Sequence, residues 1–398
     1  MKPLASFLTT LSLLLFSTTC THAQWVSVSS NTAETLRDLF FVSPDTGFVV
    51  GEFDVLYKTT DGGDTWDDVH FNTLNPLSAI HFPSKNVAYL NGFKTTDMGN
   101  TWSPITPANT DGVNSLYFIN DTVGFFSYAN GVIGKTTNAG LTWINKYLLV
   151  SQVYEEFEFT SDSVGYLVGW YGGSIHKTTD QGGTWTLISN MRAYSINFPS
   201  QDTGYVVGWY GVIQKTTDAG STWELQNSGL TQDRRLFDVF CTENNTCYAV
   251  GDSGVILKTT DGGLNWIHQY SGTTEELNSI FFTDSNTGFV VGTNGTILKT
   301  TNGGELTGVP PICGAQPELS IFPNPASTVL NIECPSCPGF PLVIRIFDSL
   351  GREVATFPLP DEKNALNLSA FADGVYCYAL LSKNATIHSG KFFKQKRP

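Results

Sequence analysis

The sequence predicts an all-β fold, a seven-bladed β-propeller followed by a small immunoglobulin-like β-sandwich. One observation is a repeat: the phrase KTT[DN]xG begins at seven lysines spaced 36 to 43 residues apart, namely Lys58, Lys94, Lys135, Lys177, Lys215, Lys258 and Lys299. A second is that each copy follows two apolar strands joined by a polar turn, as in LFFVSPDTGFVVG. Four strands per repeat at this period are typical of propeller blades. The third is a change of pattern near residue 318, where about seven short strands predict a sandwich.

The first 23 residues are expected to be a secretory signal peptide. Lys2 precedes an apolar run that is too short to span a bilayer, and a small-residue site ends at Ala23, which predicts cleavage before Gln24. Cys20 offers a lipoprotein alternative, which the residues in front of it disfavour. No other segment is apolar enough to cross a membrane.

The seven repeats are expected to occupy residues 24–308, and the mature chain is expected to close the ring with its own N-terminus. Six repeats run on to a tryptophan strand, whereas the seventh reads KTTNGGELTGVPP and has none. The mature chain opens with QWVSVSS, a tryptophan strand with no repeat before it. We therefore predict that the Trp25 strand completes the last blade. A Pro- and Gly-containing linker, residues 309–317, then leads to a C-terminal domain at 318–398.

The residues that recur in the turns are predicted to be structural. A carboxylate before a Gly-containing turn accepts turn N–H groups, and a following tryptophan packs between blades. Because asparagine replaces the aspartate in two repeats, hydrogen bonding explains the position better than acid–base chemistry; calcium binding is the alternative. The residues are Asp61, Trp66, Asp97, Trp102, Asn138, Trp143, Asp180, Trp185, Asp218, Trp223, Asp261, Trp266 and Asn302.

The phrase TTDGGDTW resembles the Asp box, S/T-x-D-x-G-x-T-W, of bacterial neuraminidase-type (BNR) repeats. Combined with GFVVGxxGxILKTTDGG, it is most similar to the propeller family of the photosystem II assembly factors. The resemblance spans about residues 24–306 and implies a propeller. It implies little about function, because such repeats occur in enzymes, receptors and assembly factors alike.

Residues that are not repeated are the candidates for ligand binding. The turns between the second and third strands of blades 4 and 5 read GWYGG and GWYGV, which places Trp170, Tyr171, Trp209 and Tyr210 at matching positions. Such an aromatic patch, expected near the rim, stacks on sugar rings or anchors a partner, unless it packs on neighbouring loops. The loops that lead into the next blade are expected to add Arg37, Tyr154, Glu155, Glu156, Arg192, Asp233, Arg234, Arg235, Glu275 and Glu276.

Other chemistries are disfavoured. Glu155 or Glu156 facing Glu275 or Glu276 would supply the two carboxylates of a glycosidase, but the arginine triad of a sialidase is missing. The histidines show no metal-ligand spacing. Residues 24–315 hold 29 acidic and 13 basic residues, which disfavours nucleic acid and anionic lipid as partners. We therefore predict no catalytic residue, no metal and no cofactor.

The six cysteines that follow the signal predict disulfides, as expected for an exported chain. Cys241 and Cys247 flank a turn-like TENNT, which predicts a local bridge. Cys313, Cys334, Cys337 and Cys377 allow three pairings.

The tail resembles the type A C-terminal sorting domain of the type IX secretion system of Bacteroidota. The matching residues are Pro323, Asn324, Pro325, Gly351, Arg352, Gly374 and Tyr376, together with the basic end from Lys391 to Arg397. The resemblance implies transit through the periplasm, contact with the secretion machinery, and release or attachment at the outer-membrane surface. It also disfavours a photosystem role.

The sequence thus predicts a secreted or cell-surface, non-catalytic binding or scaffold protein for a glycan or protein ligand. The alternative is a glycoside-active enzyme of sialidase-like or xyloglucanase-like propeller type.

Overall fold

The fold is taken from a computed structural model. It describes residues 25–70, 76–105, 112–128, 130–148, 152–231, 233–305, 319–334, 342–348, 353–382 and 385–395. The chain divides into two compact units, with the boundary between Glu305 and Leu306. The expected signal peptide and the linker at 309–317 lie outside the described residues.

The described residues of the first unit form seven four-stranded antiparallel sheets. Each blade runs outward from an inner strand to an outer strand in chain order, except the seventh, whose order is β26-β27-β28-β1. The strands are β1 (Val26–Val28), β2 (Leu36–Phe41), β3 (Gly47–Gly51), β4 (Leu56–Thr59), β5 (Asp67–Asp68), β6 (Ile80–His81), β7 (Ala88–Leu90), β8 (Phe93–Thr95), β9 (Ser103–Pro104), β10 (Val113–Phe118), β11 (Gly124–Tyr128), β12 (Val132–Thr136), β13 (Ile144–Tyr147), β14 (Val153–Phe159), β15 (Gly165–Tyr171), β16 (Ser174–Thr178), β17 (Thr186–Ser189), β18 (Ala193–Asn197), β19 (Gly204–Gly208), β20 (Ile213–Thr216), β21 (Glu224–Gln226), β22 (Leu236–Glu243), β23 (Thr246–Gly251), β24 (Ile256–Thr259), β25 (Ile267–Gln269), β26 (Leu277–Phe282), β27 (Gly288–Gly292) and β28 (Ile297–Thr300).

The second strand of each blade is apolar along its length because blades cover it on both faces. Every residue of β3, β19 and β27 is buried. The glycine at the start of such a strand leaves room for the phenylalanine that ends the inner strand, since a Cβ on Gly47 would lie 2.7 Å from the Phe41 ring. The glycine of the recurring TGF and TGY phrases is therefore required for packing within the blade.

The N-terminal strand lies in the seventh blade. Val26, Ser27 and Val28 pair antiparallel with Lys299, Leu298 and Ile297. Trp25 is 1% exposed and packs edge-on against Phe282 and Tyr248, with ring centroids 5.8 and 6.4 Å apart. The two ends of the propeller sequence therefore meet in one sheet.

The lysine of each KTT phrase links its blade to the next one, a role that the sequence analysis did not assign. Its ammonium group lies over an aromatic ring of its own blade, at 5.4 Å for Lys58 and Phe48. Six of the seven described lysines also donate a hydrogen bond to a backbone carbonyl in the turn of the following blade. Lys299 donates to the Gly62 carbonyl of blade 1 at 2.7 Å, across the closure.

The second unit is an immunoglobulin-like sandwich of two antiparallel sheets. One sheet has the order β29-β30-β33 and the other β32-β31-β34-β35. Leu330, Ile344, Leu380 and Phe392 lie in its core and are fully buried. The strands are β29 (Ser320–Phe322), β30 (Val329–Glu333), β31 (Leu342–Phe347), β32 (Glu353–Leu359), β33 (Lys363–Asn367), β34 (Gly374–Ser382) and β35 (Ala385–Lys394).

Candidate functional site

The recurring acidic residue organises its own turn. The Thr59 hydroxyl donates to Asp61 Oδ1 at 2.8 Å, and Thr65 donates to Asp61 through both its N–H and its hydroxyl, at 3.0 and 2.6 Å. Asp97, Asp180 and Asp218 accept the same three bonds, and at Asp261 the amide of Asn265 takes the place of the second threonine hydroxyl.

Asparagine preserves this turn in the two blades that lack the aspartate. Asn138 Oδ1 accepts from the Thr136 hydroxyl at 3.0 Å and from Thr142 N–H at 2.9 Å, while its amide donates to the Thr142 hydroxyl. Asn302 likewise accepts from the Thr300 hydroxyl at 2.9 Å. The position therefore requires an acceptor oxygen and does not require a charge.

The tryptophan that follows each turn packs inside the blades. Trp66 and Trp266 are buried, and Trp102, Trp143, Trp185 and Trp223 are partly buried. Trp66, Trp143, Trp185 and Trp223 each meet the phenylalanine that ends an inner strand at a steep angle, as in the edge-on pair of Trp66 and Phe41.

A second group of carboxyl groups lies on the inner strands, where it joins one blade to the next. Asp38 accepts from Ile80 N–H at 2.9 Å, and Asp238 accepts from Ile280 N–H at 2.8 Å. Serine hydroxyls add links from the preceding blade, with Ser195 of blade 5 donating to Asp238 of blade 6 at 2.8 Å.

Blade 4 contributes two further carboxyl groups to this set. Glu156 accepts from Ile196 N–H at 2.8 Å, and Glu158 accepts from Phe198 N–H at 3.4 Å. We call Asp38, Glu156, Glu158 and Asp238 the channel carboxyls. The sequence analysis placed Glu156 on a loop and did not consider the other three.

Burial controls the protonation of the channel carboxyls. It raises the pKa of Asp38 to about 7 and that of Glu158 to about 8. The hydrogen bonds that these carboxyls accept from backbone N–H groups lower the pKa and offset part of this rise. Burial and the neighbouring Asp238 also raise the pKa of Glu156. A carboxyl oxygen accepts a backbone N–H in either protonation state, so these groups can link the blades whether or not they are charged.

Two tryptophans predicted for the ligand site stack on each other at the inner ends of blades 4 and 5. The Trp170 and Trp209 rings lie 5.8 Å apart with an interplanar angle of 26°, and Tyr194 stacks on both, at 6.0 and 6.3 Å. Phe237 meets Tyr194 edge-on at 5.2 Å. We call these four rings the aromatic stack. Tyr194 and Phe237 belong to inner strands, so Trp170 and Trp209 lie beside the inner strands.

The tyrosines of the two WYG turns are more exposed than the tryptophans. Tyr171 and Tyr210 are 54% and 52% exposed, and each packs edge-on against the tryptophan before it, at 5.5 and 6.0 Å between centroids. Phe53, at the corresponding turn of blade 1, is 73% exposed. The sequence analysis overlooked Phe53, although its position in the turn could have identified it.

The arginines predicted for the site differ in their partners. Arg235 lies over Phe237 at 4.9 Å and over Trp209 at 5.9 Å, and it is held by Asp252 and Glu276 at 2.8 and 2.9 Å. Arg234 donates to the Ser253 hydroxyl. Arg192 is exposed.

The sequence analysis was wrong about four residues that it placed on loops. Arg37 lies in β2, and Tyr154, Glu155 and Glu156 lie in β14. Tyr154 is fully buried in a blade core. The extended run that they occupy contains charged residues, and this hid its strand character.

The carboxylates proposed for glycoside chemistry are mostly engaged. Glu156 accepts the Ile196 N–H, Glu276 pairs with Arg235, and Glu275 accepts from the Thr293 hydroxyl at 2.6 Å. Glu155 accepts a hydrogen bond from the Trp170 side chain. Burial nevertheless raises its pKa to about 7, against the lowering effects of that bond and of the Arg37 charge.

A disulfide joins Cys241 and Cys247, which are directly opposed in β22 and β23. Cys334 is also disulfide-bonded, whereas Cys377 is not in a disulfide. Cys313 and Cys337 lie outside the described residues. Within the described ranges, no group of His, Cys, Asp or Glu could hold a metal ion, and no helix is long and apolar enough to cross a membrane.

Three separated segments of the tail meet at the last strand. Asn324 lies between Pro323 and Pro325, and both prolines follow cis peptide bonds. Its Oδ1 accepts a hydrogen bond from the Phe393 N–H at 2.9 Å. Tyr376, two residues after Gly374, stacks on Phe392 at 5.5 Å, and Lys394 pairs with Asp373 at 3.4 Å. Gly351 and Arg352 lie outside the described residues.

Comparison with known proteins identifies both units. The family model of the photosynthesis system II assembly factor YCF48 matches residues 17–146 and 187–270, more than half of the chain. The chain belongs to the YCF48 family. The model of the secretion system C-terminal sorting domain matches residues 320–395, so the tail is a sorting domain of this type. No curated protein sequence matches the chain.

Solved structures agree on the fold. YCF48 bound to D1 peptide superposes with a TM-score of 0.61 at 21% identity, covering 71% of this chain and 96% of its own. YCF48 from Cyanidioschyzon merolae gives 0.59 at 21%, covering 69% and 98%. The GH74 xyloglucanase from Xanthomonas campestris gives 0.56 at 11%, covering 78% and 59%. These propellers share the fold with this member of the YCF48 family, whose sorting domain implies secretion or display at the cell surface.

Proposed function

We propose that the protein is a secreted or cell-surface binding module without catalytic activity, whose ligand, a glycan or a protein segment, lies over the aromatic stack. The observation that carries this is the stack of Trp170, Tyr194 and Trp209, three large rings that are only partly buried. Large rings at a surface that also carries arginine are characteristic of binding hot spots.

The packing of these rings supports a binding role. Asp-box tryptophans such as Trp66 belong to the hydrophobic cores of the blades, but Trp170 and Trp209 belong to none of the cores found among the described residues. The rings therefore contribute little to the cores, and a surface role accounts for them better.

A relative supports the same reading. A YCF48 propeller of the same fold has been solved with D1 peptide bound. Ligand binding by this propeller is therefore reasonable, while the ligand must be one that an exported protein meets. The sorting domain supports delivery by the type IX machinery after signal-peptide cleavage, to the medium or to the outer-membrane surface.

A glycoside-active enzyme is the second candidate, and Glu155 favours it. A carboxyl whose pKa is raised to about 7 beside an aromatic ring has the property of a general acid at neutral pH. The nearby carboxylates that would act with it are held in hydrogen bonds or ion pairs. Binding therefore remains the better-supported function.

Screening the propeller on glycan and peptide arrays tests the proposal. We expect the double variant Trp170→Ala with Trp209→Ala to lose the binding of every hit, while Tyr147→Ala, an exposed tyrosine on β13, leaves it unchanged. Binding that survives the double variant in a folded protein would place the ligand elsewhere. Release of reducing ends from a bound glycan, abolished by Glu155→Gln, would instead favour the enzyme.

A further inference from the structure

A groove of about 370 Å³ lies beside the aromatic stack on blade 5. Its volume falls within the range of small-ligand sites, roughly 300 to 1,000 Å³. Tyr210 connects the two features, because it contacts Trp209 on one side and lines the groove on the other. The lining residues are Tyr210, Gly211, Val212, Leu225, Gln226, Ser228 and Leu230.

Blade 5 builds this groove with a long connection that blade 4 lacks. Nine residues separate β21 from β22, whereas three separate β17 from β18. The connection is fixed to the turn by the Ser228 hydroxyl, which donates to the Gly211 carbonyl at 2.7 Å. Gly211 has a φ of 62°, and a Cβ there would lie 2.8 Å from Leu230, so the connection and the turn are in close contact. At Tyr171, the counterpart of Tyr210 in blade 4, the corresponding connection is the shorter one of three residues.

The chemistry of the lining restricts the ligand. None of the seven lining residues carries a formal charge. Arg235, which lies over Trp209, is engaged by Asp252 and Glu276, and its neighbour Arg234 donates to the Ser253 hydroxyl. A charged ligand would lose its hydration here without gaining an ion pair, so the groove suits a neutral one.

The shape of the lining restricts the ligand further. Tyr210 presents a half-exposed ring on a backbone held at φ 64°, and Leu225 is 69% exposed. Gln226 lines the same groove, and its amide donates one hydrogen bond to the Glu224 carbonyl at 3.3 Å. Backbone groups and the second N–H of this amide add hydrogen-bonding capacity there. An aromatic ring combined with an amide suits a ligand that has one apolar face and a polar edge. A pyranose ring has this character.

We propose that the groove binds one neutral sugar ring of a glycan, stacked on Tyr210. The inference rests on the proposed binding function and specifies its ligand as an uncharged oligosaccharide. A peptide ligand seated only over the aromatic stack is the competing outcome.

Isothermal titration calorimetry of the full-length protein with cellohexaose, xylohexaose and mannohexaose tests the inference. We expect at least one of these neutral oligosaccharides to bind, and Tyr210→Ala to weaken it about tenfold or more, the cost of losing a hot-spot ring. Tyr171→Ala is the matched control, an equally exposed tyrosine without a groove, and should change affinity by less than about threefold. Tyr210→Phe keeps the ring and should retain binding.

The outcomes separate the two proposals. Equal losses in Tyr210→Ala and Tyr171→Ala, or no loss in Tyr210→Ala, would overturn the sugar site. Binding of a peptide that depends on Trp209, with no binding of any neutral oligosaccharide, would also overturn it and leave the proposed function intact. Absence of any ligand on sugar and peptide arrays would overturn both.

Discussion

The carboxyl groups of the outer turns and those of the inner strands have opposite environments. Asp97 and Asp218 lie in exposed turns, where threonine hydroxyls and N–H groups lower the pKa of each to about 2. Asp38 and Glu158 lie among the inner strands, where burial raises their pKa to about 7 and 8. The same functional group thus has a lowered pKa in one region and a raised pKa in the other.

The difference shows which contacts hold a blade together and which hold the ring together. Each turn carboxylate accepts its hydrogen bonds from residues within four positions in the sequence, so it organises a single blade. Each channel carboxyl accepts a backbone N–H about forty residues away, in the next blade. We therefore expect changes at contacts between blades to cost more stability than changes within a turn.

Trp25→Ala should have the largest effect, because it removes the ring that packs blade 7 against blade 6 at the closure. Trp25 is only 1% exposed, so its truncation to alanine is expected to lower the free energy of unfolding by about 3 to 5 kcal/mol. Chemical denaturation measures this loss. Trp143→Ala, at a partly buried counterpart, is the control and should cost less; equal losses would contradict a special role of the closure.

Asp238→Ala should come second. It removes the acceptor of Ile280 N–H and of the Ser195 hydroxyl, and leaving such buried donors unpaired costs about 1 to 3 kcal/mol. Asp238→Asn keeps an acceptor oxygen and should recover most of the loss at pH 7. A loss in Asp238→Asn as large as in Asp238→Ala would show that charge matters at this position.

The pH dependence of stability should be smaller but informative. Above about pH 6.5 the folded chain holds protons on Asp38 and Glu158 that the unfolded chain has released, so these carboxyls make stability fall as the pH rises toward 8. Below that pH the histidines His81 and His176, whose pKa is lowered to about 4 by burial, act in the opposite direction. Because both carboxyl side chains are only partly buried, we expect a fall of about 1 kcal/mol, less than one pKa unit would give. Thermal melts from pH 6.5 to 8.5 measure it, and Glu158→Gln should flatten the curve. The same pH dependence in the parent and in Glu158→Gln would refute a raised pKa at Glu158.

Asp97→Asn should have the smallest effect. Asn138 and Asn302 occupy the same position in other blades and accept the same threonine hydroxyl. Denaturation at pH 7 should therefore place Asp97→Asn close to the parent, with Asp97→Ala clearly less stable. An Asp97→Asn variant as unstable as Asp97→Ala would mean that the turn needs the charge, or a cation bound to it.

Much of the fold could be predicted because its information is local. The KTT phrase, the alternating strands and the tryptophan each recur within one blade, so the seven copies gave the blades directly. The unpaired tryptophan strand at Trp25 and the seventh repeat without a tryptophan indicated the sheet that contains β1 and β28. The bridge of Cys241 and Cys247 was likewise readable from a hairpin six residues long.

The candidate site could be predicted only in part. The matched WYG turns identified Trp170 and Trp209, but nothing in the sequence indicated that Tyr194 and Phe237 would complete the aromatic stack. Tyr154 and Glu156 were placed on loops, because charged residues interrupt the apolar pattern of the inner strand β14.

The sequence by itself determined the all-β class, the number of blades and the sorting tail, since these follow from periodicity and motifs within short segments. Only the tertiary structure decided which carboxyls have a raised pKa, which rings stack and where a groove opens beside Tyr210. These properties depend on side chains from different blades that meet through the curvature of the closed ring. Side chains that lie about forty residues apart leave no local pattern to read.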